Sequence, residues 1–398
     1  MRVLQIHNYY SVRGGEDGMY ATTVRLLRER GHEVHTLERD SRTLIGLRAK
    51  TTAFFQGIYS RRAKKAATAL IASERPDIAD LYNPYPLLSP SVVVACRESG
   101  VPVVMHCMNF RLICPVGIHL CRGTVCERCC GGREYWCVLK NCRDNMLESI
   151  GYALRIAVAR KLRFYRDNVT LFVTPSECVR RHFLDAGFPE DRTLVIPNMT
   201  RIPDSAAAPS DGQYVAFAGR FSPEKGIGTL LQSARQVGYP VRLAGNPSAM
   251  PELVKSAPPN ARFLGQMHGQ QLVEFYRNAR FVVVPSICFE TCALVVIEAM
   301  THGLPVIGSR IGGIPEQIDD GVTGLLFEPG NAEDLAEKMK LLWDNPDLCR
   351  QMGMAGREKA IREYSEDVYY TRLLDAYRKA RKINTKVEGH YGARTTTD

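Results

Sequence analysis

The chain predicts an α/β protein of two doubly wound halves, and three observations carry that prediction. Strand and helix patterns alternate through residues 2–196 and restart at Tyr214, after the Pro-, Ser- and Ala-rich stretch TRIPDSAAAPSDG at 200–212. At 398 residues the chain exceeds one ordinary core and calls for two domains. Each half opens with an apolar strand, a glycine-bearing turn and a helix, the start of a nucleotide-binding α/β unit.

Composition narrows the class. An apolar fraction of 45% is that of a globular protein, and no run reaches the roughly 18 apolar residues of a membrane span. The opening MRVLQIHN is too short and polar-ended to read as a signal peptide, so a cytoplasmic location is expected. The net charge of +10 favours polyanionic partners: nucleotide phosphates, nucleic acid or an acidic membrane surface. Thirteen cysteines are many, and eight of them fall between Cys107 and Cys142. Clustering in a chain with no leader signal speaks for metal or reduced thiols before disulfides.

The elements follow in order. A strand at 2–7 meets the turn Gly14, Gly15 and a helix over 17–30, ended by Gly31. Small residues in such a turn let a phosphate or sugar approach the backbone. GGEDG does not fit the G-x-G-x-x-G of a dinucleotide site, so NAD ranks low even though Glu38 stands where an acidic partner would. After a strand at 33–37, residues 41–73 interleave Leu44, Leu47, Phe54, Phe55, Ile58 and Tyr59 with Arg42, Arg48, Lys50, Arg61, Arg62, Lys64 and Lys65. A basic helix with an aromatic face lies on an anionic bilayer or packs on its own domain, and the pattern serves both. Strand 77–81, helix 91–99 and strand 101–106 continue the alternation.

A cysteine-rich, glycine-rich insertion at about 107–142 comes next. Cys126 and Cys129 form a C-x2-C knuckle, with Cys114 and Cys142 flanking it at twelve and thirteen residues. Four thiolates so placed predict a closed, structural zinc site, with Cys121, Cys130 and Cys137 as alternative ligands and uncoordinated thiols as the competing reading. His106 lies two residues before Met108 and three before Asn109, and is either a functional histidine or a core one. A long basic helix at 147–166, strand 170–173, helix 177–186 and strand 193–196 complete the first domain, residues 1–200.

The second domain, 213–364, begins with strand 214–218, a turn, and a helix near Glu224. Arg220 and Lys225 flank that turn, where a guanidinium fork and a point charge would neutralise a diphosphate. Residues 281–284, FVVV, are a buried strand halted by Pro285, and a helix starts near Ala293. Glu290 stands in the intervening loop and Glu298 two turns up the helix among Leu294, Val295, Val296 and Ile297. A carboxylate there is expensive unless it faces a polar ligand. An anion held by the N–H groups of Ala293, Leu294 and Val295 would sit between the two. Charged helices from 346 to 382 close the molecule, with a polar tail at 384–398 expected to be disordered.

Four stretches now resemble something known. Glu290 and Glu298 match the E-x7-E pattern of retaining glycosyltransferases of family 4, and HNYYSVRGGEDGMY (7–20), AGRFSPEKGIGTLL (218–231) and THGLPVIGSRIGGIPEQIDDGVTGLLFEPG (301–330) agree with that family. The resemblance implies the GT-B fold: two Rossmann-like domains facing across a cleft, here with a Cys-rich insertion in the first and a last helix, 365–382, crossing back to it. It further implies that Gly14 and Gly15 face the donor phosphates and acceptor, that Arg220 and Lys225 hold the pyrophosphate, that Glu290 binds hydroxyls of the transferred sugar and Glu298 the ribose. Met267 falls where the family places the base. The insertion resembles one found in some relatives, which supports Cys114, Cys126, Cys129 and Cys142 as its ligand set. One departure is that many relatives carry histidine directly before the Asn of N-Y/F-R-L, where this chain has Met108. His106 would substitute, or Asn109 and Arg111 would bind the acceptor.

The function so implied is hexosyl transfer from a nucleoside diphosphate sugar to a saccharide or lipid-linked saccharide, with retention. Protein cations then replace a catalytic metal, so no cofactor is required beyond the structural zinc. A peripheral place on the inner face of the plasma membrane fits the basic segment. A sugar-nucleotide 2-epimerase or phosphorylase would share the frame. A zinc-bearing nucleic-acid-binding protein is the reading from another class, and it lacks the interleaved aromatic and basic residues of the recognised modules. No nucleic-acid partner is therefore expected.

Overall fold

The computed structural model describes residues 1–392, with the side chains of 47–51, 210 and 386–392 outside the description. The chain divides into two units. The first comprises Met1–Gly117, Glu127–Ile196 and the chain from Tyr370 onward; the second comprises Ile118–Cys126 and Pro197–Tyr369.

Strands of the first unit are β1 (Arg2–Tyr9), β2 (Glu33–Asp40), β3 (Ile78–Leu81) and β4 (Val103–His106); after a small hairpin, β5 (Leu120–Cys121) and β6 (Thr124–Val125), come β7 (Leu171–Thr174) and β8 (Thr193–Val195). The hairpin groups with the second unit. The six others form one parallel sheet in the order β2-β1-β3-β4-β7-β8. β3, β4 and β7 are buried at every residue, as parallel strands covered by helices on both faces require. Two polar residues interrupt that apolar layer, Asp80 on β3 and His106 on β4. Asp80 accepts from His106 Nε2 at 2.9 Å, Gln5 Nε2 at 2.7 Å and the Tyr377 hydroxyl at 2.7 Å, so the buried carboxylate is fully used. Tyr377 comes from the last helix, Glu366–Gly392, which also bonds to this unit through Tyr370 with His32 and through Lys379 with the carbonyl of Asp191.

The second unit holds β9 (Tyr214–Ala218), β10 (Val241–Ala244), β11 (Ala261–Gly265), β12 (Ala279–Val284), β13 (Val306–Ser309) and β14 (Gly324–Phe327), parallel in the order β11-β10-β9-β12-β13-β14. Successive residues of a strand feed opposite faces. Tyr214 and Ala216 with Val282 and Val284 enter one core cluster, and Val215 and Phe217 with Phe281 and Val283 enter the other.

Several boundaries differ from the sequence reading. The basic stretch at 41–73 is two helices, Gly46–Ile58 and Arg61–Glu74, because the chain turns extended at Tyr59 and the Ser60 hydroxyl caps the second. Leu47, Arg48 and Lys50 of that stretch fall among the undescribed side chains. The helix expected over 147–166 breaks at Arg163, whose φ of 53° ends Met146–Lys161 and starts Phe164–Asn168. The last helix continues to Gly392, through the first part of the stretch expected to be a disordered tail; residues 393–398 lie outside the description. The stretch after Ile196 packs on the second unit, with Asn198 donating to the Cys292 carbonyl at 2.9 Å and Arg357 to that of Pro203 at 2.7 Å.

Candidate active site

In open parallel sheets, ligands bind beyond the carboxyl ends of the strands where strand order reverses. In the second unit the reversal falls between β9 and β12, and the loops that follow them carry Arg220, Lys225 and Glu290. The first loop makes a 3-10 turn, Pro223–Lys225, instead of the helix expected near Glu224; the helix proper is Ile227–Val237. Gly226 separates the two at φ 65°, and a Cβ there would run into the Pro285 carbonyl, so glycine brings the loops together. Ile287 N–H completes the join by donating to Glu224 O at 2.9 Å.

Glu290 accepts from Lys225 Nζ at 2.6 Å and from Ser286 Oγ at 2.5 Å on the same Oε1. Burial pushes its carboxyl up, but Lys225 and Ser286 outweigh burial and hold it below the usual range. The loop is fixed from behind: Gly313 N–H donates to Glu290 O at 2.7 Å, and a Cβ on Gly312 (φ 63°) would lie 2.5 Å from that oxygen. Arg220 is tied to Glu224 at 2.7 Å with its side chain 58% exposed, so it remains open to an anion. Glu298, on the helix Leu294–Thr301, accepts from the Tyr276 hydroxyl at 3.0 Å, and burial raises its carboxyl. Met267, in the loop after β11, packs partly buried on the same core cluster.

One donor-binding expectation is corrected. The Ala293 amide is held by Gln317 Oε1 at 2.9 Å, and Gln317 Nε2 returns to the Ala293 carbonyl, so Ala293 acts as a locked cap. The helix's own bonding starts at Val296 N–H to Ala293 O, which leaves the amides of Leu294 and Val295 in the first turn.

The first unit reverses its strand order between β1 and β3. After β1, Asp17 accepts from buried His7 at 2.8 Å, from Tyr10 N–H at 3.2 Å and from Gly14 N–H at 2.9 Å, which shapes the glycine turn and occupies the Gly14 amide. Gly15 is the first residue of the helix Gly15–Glu29. Tyr10 OH and Asn109 Nδ2 converge on Glu16 Oε2 at 2.6 and 3.0 Å, and Arg111 Nη1 reaches Tyr10 OH at 3.2 Å. The Asn109 side chain also accepts from the Arg111 amide at 2.9 Å. Asn109 and Arg111 thus share one network with Tyr10 and Glu16, which the sequence reading did not single out. His106 lines the same small hollow as Glu16, Asn109 and Arg111, with its ring 3% exposed, bonded to Asp80 and stacked 4.2 Å from Tyr82.

Among the described residues, Cys114, Cys126, Cys129 and Cys142 do not bring three sulfurs within 4.8 Å of one another, as a common ion would need. Cys129 packs with Cys137, Cys142 and Ala153 in a small apolar cluster, while Cys126 lies at the end of the hairpin segment that groups with the second unit. Among the described residues no disulfide joins two cysteines. Among the described residues, the grouping of metal-type ligands is instead Glu33, His35 and Glu74, at the surface. The same hairpin sets the buried His119 ring 6.1 Å from Phe289, beside Glu290, a placement no sequence spacing announced.

Comparison with known proteins agrees with this geometry. Residues 14–201 match the family model "Glycosyltransferase Family 4", and residues 198–359 match "Glycosyl transferases group 1". A D-inositol 3-phosphate glycosyltransferase of Saccharomonospora viridis is 36% identical over 191 residues, which are 43% of this chain and 44% of that protein. The chain thus spans less than half the length of that curated relative. Among solved structures, sucrose-phosphate synthase from Thermosynechococcus elongatus superposes with a TM-score of 0.70 at 18% identity, over 95% of this chain and 98% of that one. Anabaena HepE in complex with UDP-glucose gives 0.66 at 16% identity, over 94% and 98%. Two family models that meet near residue 200, on a pair of six-stranded parallel sheets, make this chain a member of the family 4 glycosyltransferases, with the GT-B fold.

Proposed function

We propose that the protein transfers a hexosyl group from a nucleoside diphosphate sugar to a hydroxyl of a saccharide or lipid-linked saccharide, retaining the anomeric configuration. The observation that carries this reading is the Lys225–Glu290 contact of 2.6 Å at the reversal of the second sheet, with exposed Arg220 one turn away. Departure of the leaving group builds negative charge on the diphosphate. Arg220, Lys225 and the first-turn amides of Leu294 and Val295 stabilise that charge more in the transition state than before it. Glu290, kept ionised by Lys225 and Ser286, accepts from hydroxyls of the transferred sugar; Glu298 accepts from the ribose, and Met267 lies against the base.

Cations of the chain take the place of a catalytic metal, so no cofactor enters the reaction. Asn109 and Arg111, with Tyr10 and Glu16, orient the acceptor in the first unit. The fold leaves open space where a Cβ on Gly14 would point, so the glycine there serves the approach of a substrate better than the packing of the chain. We further place the protein in the cytoplasm, peripheral on the inner face of the plasma membrane. Ile45 and Phe55 are 83% and 64% exposed in the same stretch as exposed Arg61, Arg62 and Lys65, and no described helix is long and apolar enough to cross a membrane.

The test is product analysis by mass spectrometry and NMR, with a panel of sugar nucleotides and chelator present throughout. Transfer with the donor's anomeric configuration is expected. An inverted product, free sugar nucleotide epimer, or a requirement for inorganic phosphate would overturn the reading.

A further inference from the structure

The cavity of about 430 Å³ in the first unit belongs to neither switch point, and no role assigned above uses it. It forms where the glycine turn of the Cys-rich insertion, Gly131 and Gly132, meets the break between the helices Met146–Lys161 and Phe164–Asn168. That break makes the site. The left-handed residue Arg163 turns the chain, so Arg160, Lys161, Arg163 and Arg166 all reach one hollow instead of spreading round a continuous helix.

Charge in this hollow is not balanced from within. Arg160 is neutralised by Glu134, through Nε to Oε1 at 2.6 Å and Nη2 to Oε2 at 3.2 Å. Arg163 pairs with Asp167 at 3.0 Å. Among the described residues Arg166 donates to the Ala186 carbonyl and lies over the Phe188 ring, and burial, with Arg163 and Arg160 beside it, lowers the affinity of its guanidinium for its proton. Lys161 meets no carboxylate among the described residues. Four cations against two carboxylates leave an excess of two positive charges, the charge carried by a phosphomonoester near neutral pH, roughly −1.5 to −2. The lining also includes apolar Leu112, Ile113, Ile156 and Phe188, the last lying under the Arg166 guanidinium at 5.3 Å. The volume is that of a small-molecule site, typically about 300 to 1,000 Å³.

We propose that this cavity binds a phosphate ester bearing an apolar group, the phosphate between Lys161 and Arg166 and the apolar part against Phe188 and Ile156. The inference is independent of the transfer reaction, which is assigned to other residues. A phosphate of this kind comes either from a dispersed ester or from a lipid headgroup in a bilayer, and the two sources are separable.

The experiment is calorimetry on the full chain with decyl phosphate, inorganic phosphate and decanol, alongside sedimentation with phosphatidylcholine vesicles with and without phosphatidic acid. Decyl phosphate should bind at least tenfold more tightly than either phosphate or decanol, and Lys161→Gln should weaken it at least fivefold while UDP affinity stays unchanged. Arg166→Gln should weaken it further; since that change also removes the bond to Ala186, the exposed Lys161 site carries the decision. Lys161-dependent retention on phosphatidic acid vesicles identifies the lipid source, and Lys161-dependent binding of decyl phosphate alone identifies the dispersed one. Equal binding of decyl phosphate by wild type and Lys161→Gln, or inorganic phosphate binding as tightly as decyl phosphate, overturns the proposal.

Discussion

The two units carry the same kind of sheet and reverse it at different places. In the second unit the order is that of a dinucleotide fold, with the turn point between its first and fourth strands; in the first unit the third strand lies on the other side of the first, and the turn point falls between the first and third. Each turn point holds a glutamate with a cation near it, but the environments differ. Glu290 has a direct lysine partner and a serine on one oxygen, leaving its other oxygen and the nearby Arg220 for a ligand. Glu16 is instead spanned by Tyr10 and Asn109, with Arg111 reaching it only through the tyrosine hydroxyl. A compact ion pair suits the handling of a diphosphate and a sugar; a relay of hydroxyl, amide and guanidinium suits recognition of a hydroxylated acceptor. The comparison teaches that the sheet fixes where a ligand goes and the loops fix which ligand.

That contrast can be broken from either side. The largest effect is expected at Lys225→Ala, which removes the charge facing both Glu290 and a departing diphosphate. Transfer should fall by about a hundred- to a thousandfold, or about 2.7 to 4 kcal/mol, with weaker UDP binding measured by calorimetry. In the first unit, Arg111→Gln should raise KM for the acceptor about tenfold while UDP affinity holds; a change in UDP affinity instead would erase the division of labour between the units.

Two smaller effects concern the frames that hold these sites. Tyr377→Phe takes one donor from buried Asp80 and should lower stability by about 1 to 3 kcal/mol, seen as a lower Tm with transfer per folded molecule preserved. Glu298 titrates the opposite way to Glu290. Because burial raises its carboxyl, the folded chain holds that proton more tightly than the unfolded chain, so this group's contribution falls as pH rises from the unfolded value through the folded one. Glu298→Gln should therefore raise the Tm of the ligand-free protein at neutral pH, with the gain shrinking toward acid; a gain independent of pH would deny the assigned cause.

Much of the second unit was legible in the sequence, because its signals are local. The strand Tyr214–Ala218 was read at both ends, since a run of YVAFA between turn residues leaves little choice. The helix expected near Glu224 was misplaced by two to three residues because Pro223 permits a 3-10 turn and Gly226 resets the chain before the true helix. Long-range partners were not legible at all. Gln317 caps Ala293 from 24 residues away, and Tyr377 completes the Asp80 network from 297 away. His106 is a further case, since only the fold shows that Asp80, 26 residues away, bonds its ring in the hollow it shares with Asn109 and Arg111. Tyr10 and Glu16 had a signal that went unused, an aromatic and an acid bracketing the glycine turn. The cysteines pose a different difficulty, since thiols that pack as small apolar side chains, as Cys129 and Cys137 do, have the same spacing as thiols that bind a metal.

In the proposed reaction Glu290 receives the sugar while the cations beside it receive the diphosphate. The measurement that tests this most directly is the transfer rate of Glu290→Gln at saturating donor. Turnover at or below about one hundredth of wild type is the predicted result. Turnover equal to wild type would contradict it and remove Glu290 from the site.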